Sequence, residues 1–101
     1  MLKIHKQAKA EDDLINIWLY TFEIWGINQA DHYLDNLNEA LNNIAANPDI
    51  GTACDYIKKG YRKLHTREHY IFFRHTKKTV HVIRVLGNEM DYEPILENED
   101  S

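Results

Sequence analysis

The stretch "HVIRVLGNEMDYEPIL", residues 81–96, decides the fold. It begins as a run of apolar and β-branched residues with Arg84 inside it, and it turns acidic after Gly87. Such a run predicts a buried strand that ends in a glycine turn. A buried cation needs a partner, because burying it unpaired costs several kcal/mol, and we expect Asp91 or a backbone carbonyl to fill this role unless Arg84 lies on an exposed basic face. Folding back after the turn is expected to bring four apolar residues onto the sheet: Met90, Tyr92, Ile95 and Leu96.

Two further segments rich in β-formers precede this strand. They are "YRKLHT" (61–66) and "HYIFFRHT" (69–76), and only short breaks, at 67–68 and 77–78, separate the three segments. Strands joined by such tight turns predict an antiparallel meander.

The amino-terminal half has a different periodicity. "MLKIHKQ" alternates as a short strand does, and residues 8–26 and 27–47 each carry apolar residues at helical spacing. Gly26 is expected to end the first helix and Pro48 the second, so the two helices should pack as an antiparallel hairpin. Trp18 and Trp25 fall on the apolar stripe of the first helix, which favours core positions and leaves a partner-binding role as the alternative.

The order β-α-α-β-β-β predicts an α+β fold in which the helical hairpin packs on one face of a small antiparallel sheet. The other face would then be free to carry function. We expect one domain over residues 1–96 and a disordered acidic tail over residues 97–101. The chain has 101 residues and one cysteine, which excludes an internal disulfide and suits a reducing cytoplasm. It contains no apolar span of the length that a membrane helix needs.

Charge is strongly segregated although the net charge is only −4. Residues 58–84 carry nine Lys and Arg and one acidic residue, whereas residues 85–101 carry six acidic residues and no Lys or Arg. The basic segment therefore suits an anionic partner such as nucleic acid, an acidic peptide or the acidic ends of the chain itself.

A ribonuclease would need a base, an acid and cations, and the basic segment contains these residue types. His69 and His75 would share a strand face with Ile71 and Phe73, so they are also explained as residues flanking a core. A metal site is disfavoured, because His65 and His69 lie on strand and turn rather than on a helix. Ser101 and Cys54 do not suggest a nucleophile with its triad, and no cofactor is expected.

The chain resembles the ParE toxins of the ParE/RelE superfamily from about Ile4 to Leu96. The resemblance rests on motifs that occur in the family's order and at its distances: Trp25-Gly26, Gln29-Ala30 and Tyr33; the "NPDIG" loop (47–51); Gly60-Tyr61-Arg62; "HYIFFR" (69–74); and Arg84-Val85-Leu86 with Met90-Asp91.

This resemblance implies a RelE-like fold and the toxin of a type II toxin–antitoxin system. It implies a non-enzymatic inhibitor of DNA gyrase, held silent by a cognate antitoxin whose carboxy-terminal segment wraps the toxin. Neither membrane binding nor sequence-specific nucleic-acid binding by the chain alone is expected.

Two positions depart from the family pattern. Thr52 stands where an arginine is common, and Gly87 stands where a histidine is common. Two alternatives therefore stay open: a RelE-like ribosome-dependent mRNA endonuclease, and a degenerate member that acts only as a binding partner.

The resemblance and the motif positions together nominate two sets of contact residues. The candidates for target binding are Tyr61, Arg62, Arg67, Arg74, Arg84, Met90, Asp91 and Tyr92. The candidates for antitoxin binding are Trp18, Trp25, Tyr33 and Phe72.

Overall fold

A computed structural model of the chain describes residues 1–98; the last part of the expected acidic tail, residues 99–101, lies outside the described residues. The elements are β1 (Lys3–Lys6), α1 (Ala8–Trp25), α2 (Ile27–Ala46), β2 (Thr52–Ala53), β3 (Arg62–Thr66), β4 (His69–His75), β5 (Thr79–Gly87) and α3 (Tyr92–Glu97).

The five strands form one sheet in the order β1-β5-β4-β3-β2. The meander β3-β4-β5 is antiparallel as expected, while β1 pairs parallel to β5, with His5 opposite His81. The α+β class and the helical hairpin are confirmed. The sheet is mixed because the hairpin returns the chain so that β1 lies beside the last strand, and β2 has only two residues, too few for a sequence pattern.

The main core lies between the helical hairpin and one face of the sheet, here called the helix face. α2 contributes Leu37, Leu41 and Ile44, and the sheet contributes Ile71 and Phe73 of β4. The alternation along β4 therefore places these residues on the helix face, as its period of two predicts.

A single residue joins the two helices. Gly26 has φ 89°, and its backbone N–H donates to the carbonyl of Phe22. This left-handed conformation suits glycine and turns the chain directly into α2. Just before this junction the apolar stripe of α1 leaves the core, since Trp25 is 71% exposed. The core position expected for Trp25 is therefore wrong.

The opposite face of the sheet, here called the distal face, is covered rather than free. α3 folds back so that Leu96 is completely buried, and Phe72, Ile83 and Leu86 lie beneath it. Cys54, in the segment between β2 and β3, is fully buried in the same cluster. A six-residue helix preceded by an acidic turn gave too weak a periodic signal to predict this cover.

The segment after β5 turns back as expected. The backbone N–H of Met90 donates to the carbonyl of Gly87, and Tyr92 and Ile95 then pack with Leu96 against the distal face. Met90 is the exception, since it is 46% exposed and does not pack on the sheet.

Candidate functional site

Arg84 is held by a carboxylate on α1. Its Nε donates to Asp13 Oδ2 at 2.7 Å and a terminal nitrogen donates to Oδ1 at 2.9 Å, while the backbone N–H of Val85 also donates to Oδ2 at 2.9 Å. The two charged side chains are only 18% and 13% exposed. The prediction that Asp91 pairs with Arg84 is therefore wrong. Asp13 takes this role because it reaches the part of β5 that extends past β1. Arg84 fixes α1 to the sheet and is not a free contact residue.

Two other target candidates are packing residues. Tyr61 is buried in the distal cluster, and its hydroxyl has no hydrogen-bond partner among the described residues. Arg62 donates to the carbonyls of Asp49, Ile50 and Gly51 and so closes the loop that precedes β2. The structure therefore corrects the expectation that these two side chains face a target.

Tyr92 is part of a cluster on the distal face. Lys63 Nζ donates to its hydroxyl at 2.9 Å and lies 5.0 Å from the ring centroids of both Tyr92 and Tyr70. This hydrogen bond to an ammonium lowers the pKa of Tyr92. Tyr92 therefore anchors the first turn of α3 to the sheet.

The remaining target candidates are accessible but lie at two different ends of the sheet. Arg67 is exposed in the β3–β4 turn with φ 55°, and Met90 and Asp91 are exposed after β5. Arg74 is half-buried at the other end of β4, opposite His81. The structure thus brings Arg67 and Met90 to one end of the sheet and leaves Arg74 at the other.

His69 is tied to the helical hairpin. The Tyr33 hydroxyl lies 2.5 Å from His69 Nδ1 and also accepts the backbone N–H of Glu68 at 3.3 Å. The Tyr33 hydroxyl can donate to Nδ1, which is the acceptor when the proton of the neutral imidazole lies on Nε2. Burial lowers the pKa of His69 and raises the pKa of Tyr33, so both groups are held neutral.

The histidines do not converge. His69 and His75 lie at opposite ends of the seven-residue strand β4, roughly 20 Å apart at about 3.3 Å per residue. His75 contacts Asp49 at 3.5 Å, and His81 packs edge-on against His5. Among residues 1–98 no group of three His, Cys, Asp or Glu side chains is placed to hold a metal ion.

A groove runs between the helical hairpin and the ends of β4 and β5; we call it the hairpin–strand groove. It encloses 830 Å³. Tyr20, Trp25 and Gln29 line its helical side, and Arg67 and Met90 line its strand side. Tyr33 and His69 lie on its wall, so their hydrogen bond helps to fix its shape.

A second groove lies on the outer surface of the hairpin; we call it the apolar groove. It encloses 470 Å³, and its walls are formed mainly by Leu14, Ile15, Trp18, Leu19 and Leu34. Its lining is predominantly apolar, with Lys6, Glu11 and Asn38 at its margin.

The antitoxin candidates fall into three environments. Trp18 lines the apolar groove, donates from Nε1 to Asp31 at 2.9 Å and stacks on Phe22 with ring centroids 5.2 Å apart. Trp25 and Tyr33 line the hairpin–strand groove. Phe72 is completely buried under α3, so the expectation that it faces a partner is corrected.

Sequence reasoning missed most of the exposed apolar surface. Ile15, Leu19, Tyr20 and Ile24 lie outside the core stripe of α1 and are at least 45% exposed. The sequence does contain a sign of this surface. Among residues 14–25 of α1 only Asn16, Thr21 and Glu23 are polar, so the apolar residues extend beyond the one stripe that a helix packed on one side needs. No helix among the described residues is both long and apolar enough to cross a bilayer.

The fold of this chain matches that of a chain from a solved toxin–antitoxin system. A solved structure described as the chromosomal ParDE TA system from P. aeruginosa superposes with a TM-score of 0.74, at 20% identity, over 88% of this chain and 98% of that one. At this identity the match speaks for the fold alone.

Sequence comparison defines the family. Residues 3–92 match the family model described as the ParE toxin of the type II toxin–antitoxin system parDE. Toxin ParE1 of Mycobacterium tuberculosis is 47% identical over 83 residues, covering 81% of this chain and 85% of that protein. Toxin ParE1 of Caulobacter vibrioides is 34% identical over 89 residues, covering 88% of this chain and 90% of that protein. The chain belongs to the ParE toxin family of type II toxin–antitoxin systems.

Proposed function

We propose that this chain is a non-enzymatic cytoplasmic toxin that inhibits DNA gyrase and thereby replication. A cognate antitoxin neutralises it by laying its carboxy-terminal segment on the helical hairpin. Family membership supports the toxin role, and the two grooves support action by binding.

The observation that carries this proposal is the amount of apolar surface that the hairpin leaves uncovered. Large apolar side chains along α1 and at the start of α2 are between 43% and 71% exposed: Ile15, Leu19, Tyr20, Phe22, Trp25 and Ile27. A small soluble domain rarely leaves so many neighbouring apolar side chains in water unless they form an interaction site.

The apolar groove suits the antitoxin. An amphipathic helix can place its apolar face between Ile15, Leu19 and Leu34, with Trp18 as an anchor at the base. Because Trp18 is held by Asp31 and Phe22, its ring is already oriented for such contact. Little side-chain entropy would therefore be lost on binding.

The hairpin–strand groove suits the target. Trp25 and Tyr20 offer large aromatic surfaces, Arg67 offers a guanidinium, and Met90 offers a flexible apolar side chain. These residue types are the ones that supply most of the binding energy in protein interfaces. Gly87 and Asn88 form the rim where many family members carry a histidine, so this member contacts its target there without an imidazole.

The geometry gives little support to the ribonuclease alternative. A general base and a general acid must lie within hydrogen-bond reach of the same phosphodiester. Here His69 is engaged by Tyr33, and His75 lies near Asp49 at the other end of β4. His81 is paired with His5 beyond the groove.

The test is a supercoiling assay with purified gyrase, the full chain and, separately, a reporter mRNA with ribosomes. We expect inhibition of supercoiling, intact mRNA and restoration of supercoiling by the cognate antitoxin. Trp25→Ala with Met90→Ala should weaken inhibition at least tenfold, in line with the removal of two interface anchors.

Ile24→Ala is the matched control, because Ile24 is 50% exposed on the same helix but lines neither groove. It should leave inhibition unchanged. Normal supercoiling together with cleaved mRNA would place the chain with the endonucleases, and normal results in both assays with folded protein would leave it a binding partner only.

A further inference from the structure

A group of cationic side chains on the distal face has no role in the proposed function. Arg74 of β4, His81 of β5 and His5 of β1 lie directly opposite one another across three adjacent strands. Lys3 lies two residues before His5 and so projects from the same side of β1. The backbone N–H of Lys3 donates to the carbonyl of Lys78, which brings the β4–β5 turn beside it. We call the group formed by Lys3, His5, Arg74, Lys77, Lys78 and His81 the cationic corner.

The cationic corner is not neutralised by the chain itself. Within residues 1–98 the side chains of Lys3, Arg74, Lys77 and Lys78 form no ion pair. The segments that build the corner, residues 1–9 and 74–82, contain no acidic residue. Glu11 and Asp49 are the acidic residues at its margins, next to Lys6 and His75.

The pKa of His81 reflects the excess of positive charge in the cationic corner. Its pKa is lowered first by burial and then by the charges of Arg74 and His5. No carboxylate acts on His81 strongly enough to offset these cations. An anion placed over the row would therefore meet only positive or neutral groups.

We propose that the cationic corner binds the sugar-phosphate backbone of duplex DNA without regard to sequence. Lys3 on β1 and Arg74 on β4 are separated by β5, roughly 10 Å across the sheet at about 4.8 Å per strand. Lys77 and Lys78 add two more permanent cations in the turn between β4 and β5, so the corner is wide enough for several phosphates.

The composition of the corner favours phosphate over protein. Protein interfaces rely on aromatic and apolar anchors, and these lie on the helical hairpin instead. Among the large apolar side chains that are exposed, only Met1 is contributed by the segments of the corner. Its segments also contain no Phe, Tyr or Trp, the large rings on which successive bases of single-stranded nucleic acids stack, which favours a duplex.

The location of the corner makes this contact independent of the proposed target. The corner lies at the end of β4 and β5 that is opposite to the hairpin–strand groove. A toxin bound to a protein through that groove therefore keeps the corner available, and DNA held near the target would add a second contact. Because the net charge of the chain is −4, binding to DNA has to arise from such a local patch.

Fluorescence anisotropy of the full chain with a labelled duplex of about 20 base pairs and arbitrary sequence tests the proposal, with salt varied from about 50 to 200 mM. We expect binding that weakens as salt rises, with equal affinity for unrelated sequences. Arg74→Gln with Lys78→Gln should reduce the magnitude of the slope of log K against log salt by about 2, because each substitution removes one cation from a phosphate.

The control is Lys58→Gln with Lys59→Gln, which removes the same charge beyond β2 at the opposite edge of the sheet. Its slope should equal that of the unmodified chain, and the thermal unfolding of both variants should show that they remain folded. The proposal is overturned if the duplex does not bind, if the two variants behave alike, or if single-stranded RNA binds more tightly than the duplex. It is also overturned if Arg74→Gln with Lys78→Gln weakens binding only to the antitoxin. Gyrase is absent from this assay, so failure here is distinct from failure of the proposed target.

Discussion

Asp13 on α1 and Arg84 on β5 are joined by two hydrogen bonds between carboxylate and guanidinium, and the same carboxylate accepts the backbone N–H of Val85. The pair links the first helix to the last strand, 71 residues apart. The pair thus supplies a hydrogen-bond acceptor to the part of β5 that extends past β1 and has no strand beside it at that edge.

Asp13→Ala should destabilise the domain by about 3 kcal/mol, because it leaves a largely buried guanidinium and a backbone N–H without their acceptor. Urea unfolding measures this free energy. Asp12→Ala, one residue away and exposed, should change it by less than about 0.5 kcal/mol. Equal effects of the two substitutions would show that the pair has no structural role.

Gly51 is required by a close backbone approach. Its φ is 84°, and a Cβ at this position would lie 2.2 Å from the carbonyl oxygen of Lys63. Gly51→Ala should therefore destabilise the domain by at least about 2 kcal/mol. Gly60→Ala is the matched control, since Gly60 has φ 85° with nothing within 4 Å of its Cβ position, and about 1 kcal/mol is expected there. The difference between the two in urea unfolding isolates the clash.

Leu96 anchors α3 on the distal face. Leu96→Ala should destabilise the domain by about 3 kcal/mol, because a fully buried leucine leaves a cavity over Phe72 and Ile83. Glu97→Ala, which alters an exposed neighbour, should have little effect. An increase in binding of a hydrophobic dye by Leu96→Ala, but not by Glu97→Ala, would locate the change at this cover.

The buried thiol of Cys54 should be unreactive in the folded protein. Burial raises its pKa, so the thiolate that reacts with alkylating reagents is scarce, and the sulfur itself is inaccessible. Labelling with iodoacetamide at about pH 7.5 should be slow without urea and complete above the unfolding midpoint. Fast labelling of folded protein would contradict the packing of the distal face.

His69 should make stability depend on pH. Burial lowers its pKa below the ordinary value of 6.5, although Glu68 and Asp13 oppose this shift. Below pH 6.5 the unfolded chain therefore binds a proton at this position that the folded chain resists, so stability is lost as the pH falls from 6.5 towards the folded pKa.

His69→Gln should remove that loss while keeping an acceptor for the Tyr33 hydroxyl. The comparison is the free energy of unfolding at about pH 5.5 and about pH 7.5 for the unmodified chain, His69→Gln and the exposed-site control His32→Gln. A pH dependence in His69→Gln equal to that of the unmodified chain would count against the buried neutral imidazole.

Local sequence features were sufficient to predict β1, the two long helices and the three strands of the meander, but not β2, α3 or every contact between elements. The glycine at position 26 and the period of β4 correctly placed the hairpin and the residues that face it. The partner of Arg84 could not be inferred, because Asp13 and Asp91 are both carboxylates and only the path of the chain brings one of them near. The same holds for Phe72, whose burial depends on a short helix with little periodicity of its own.

The site was predicted only in part for a related reason. The spacing of Trp25 predicts a core position, yet Trp25 is the last residue of α1, at the turn into α2, and its side chain is exposed. Arg62 and Tyr61 belong to a motif for which binding is expected, but Arg62 holds the loop before β2 in place and Tyr61 is buried on the distal face.

The position of β1 has a consequence for the synthesis of the protein. Its hydrogen-bonded neighbour, β5, is the last strand of the chain to leave the ribosome, and both helices need β4 and β5 to bury their inner faces. Nascent chains therefore present an apolar helical hairpin without its sheet until β4 and β5 have emerged. During that interval the apolar side chains of the hairpin are accessible, so a partner that recognises the hairpin alone can bind before the sheet forms.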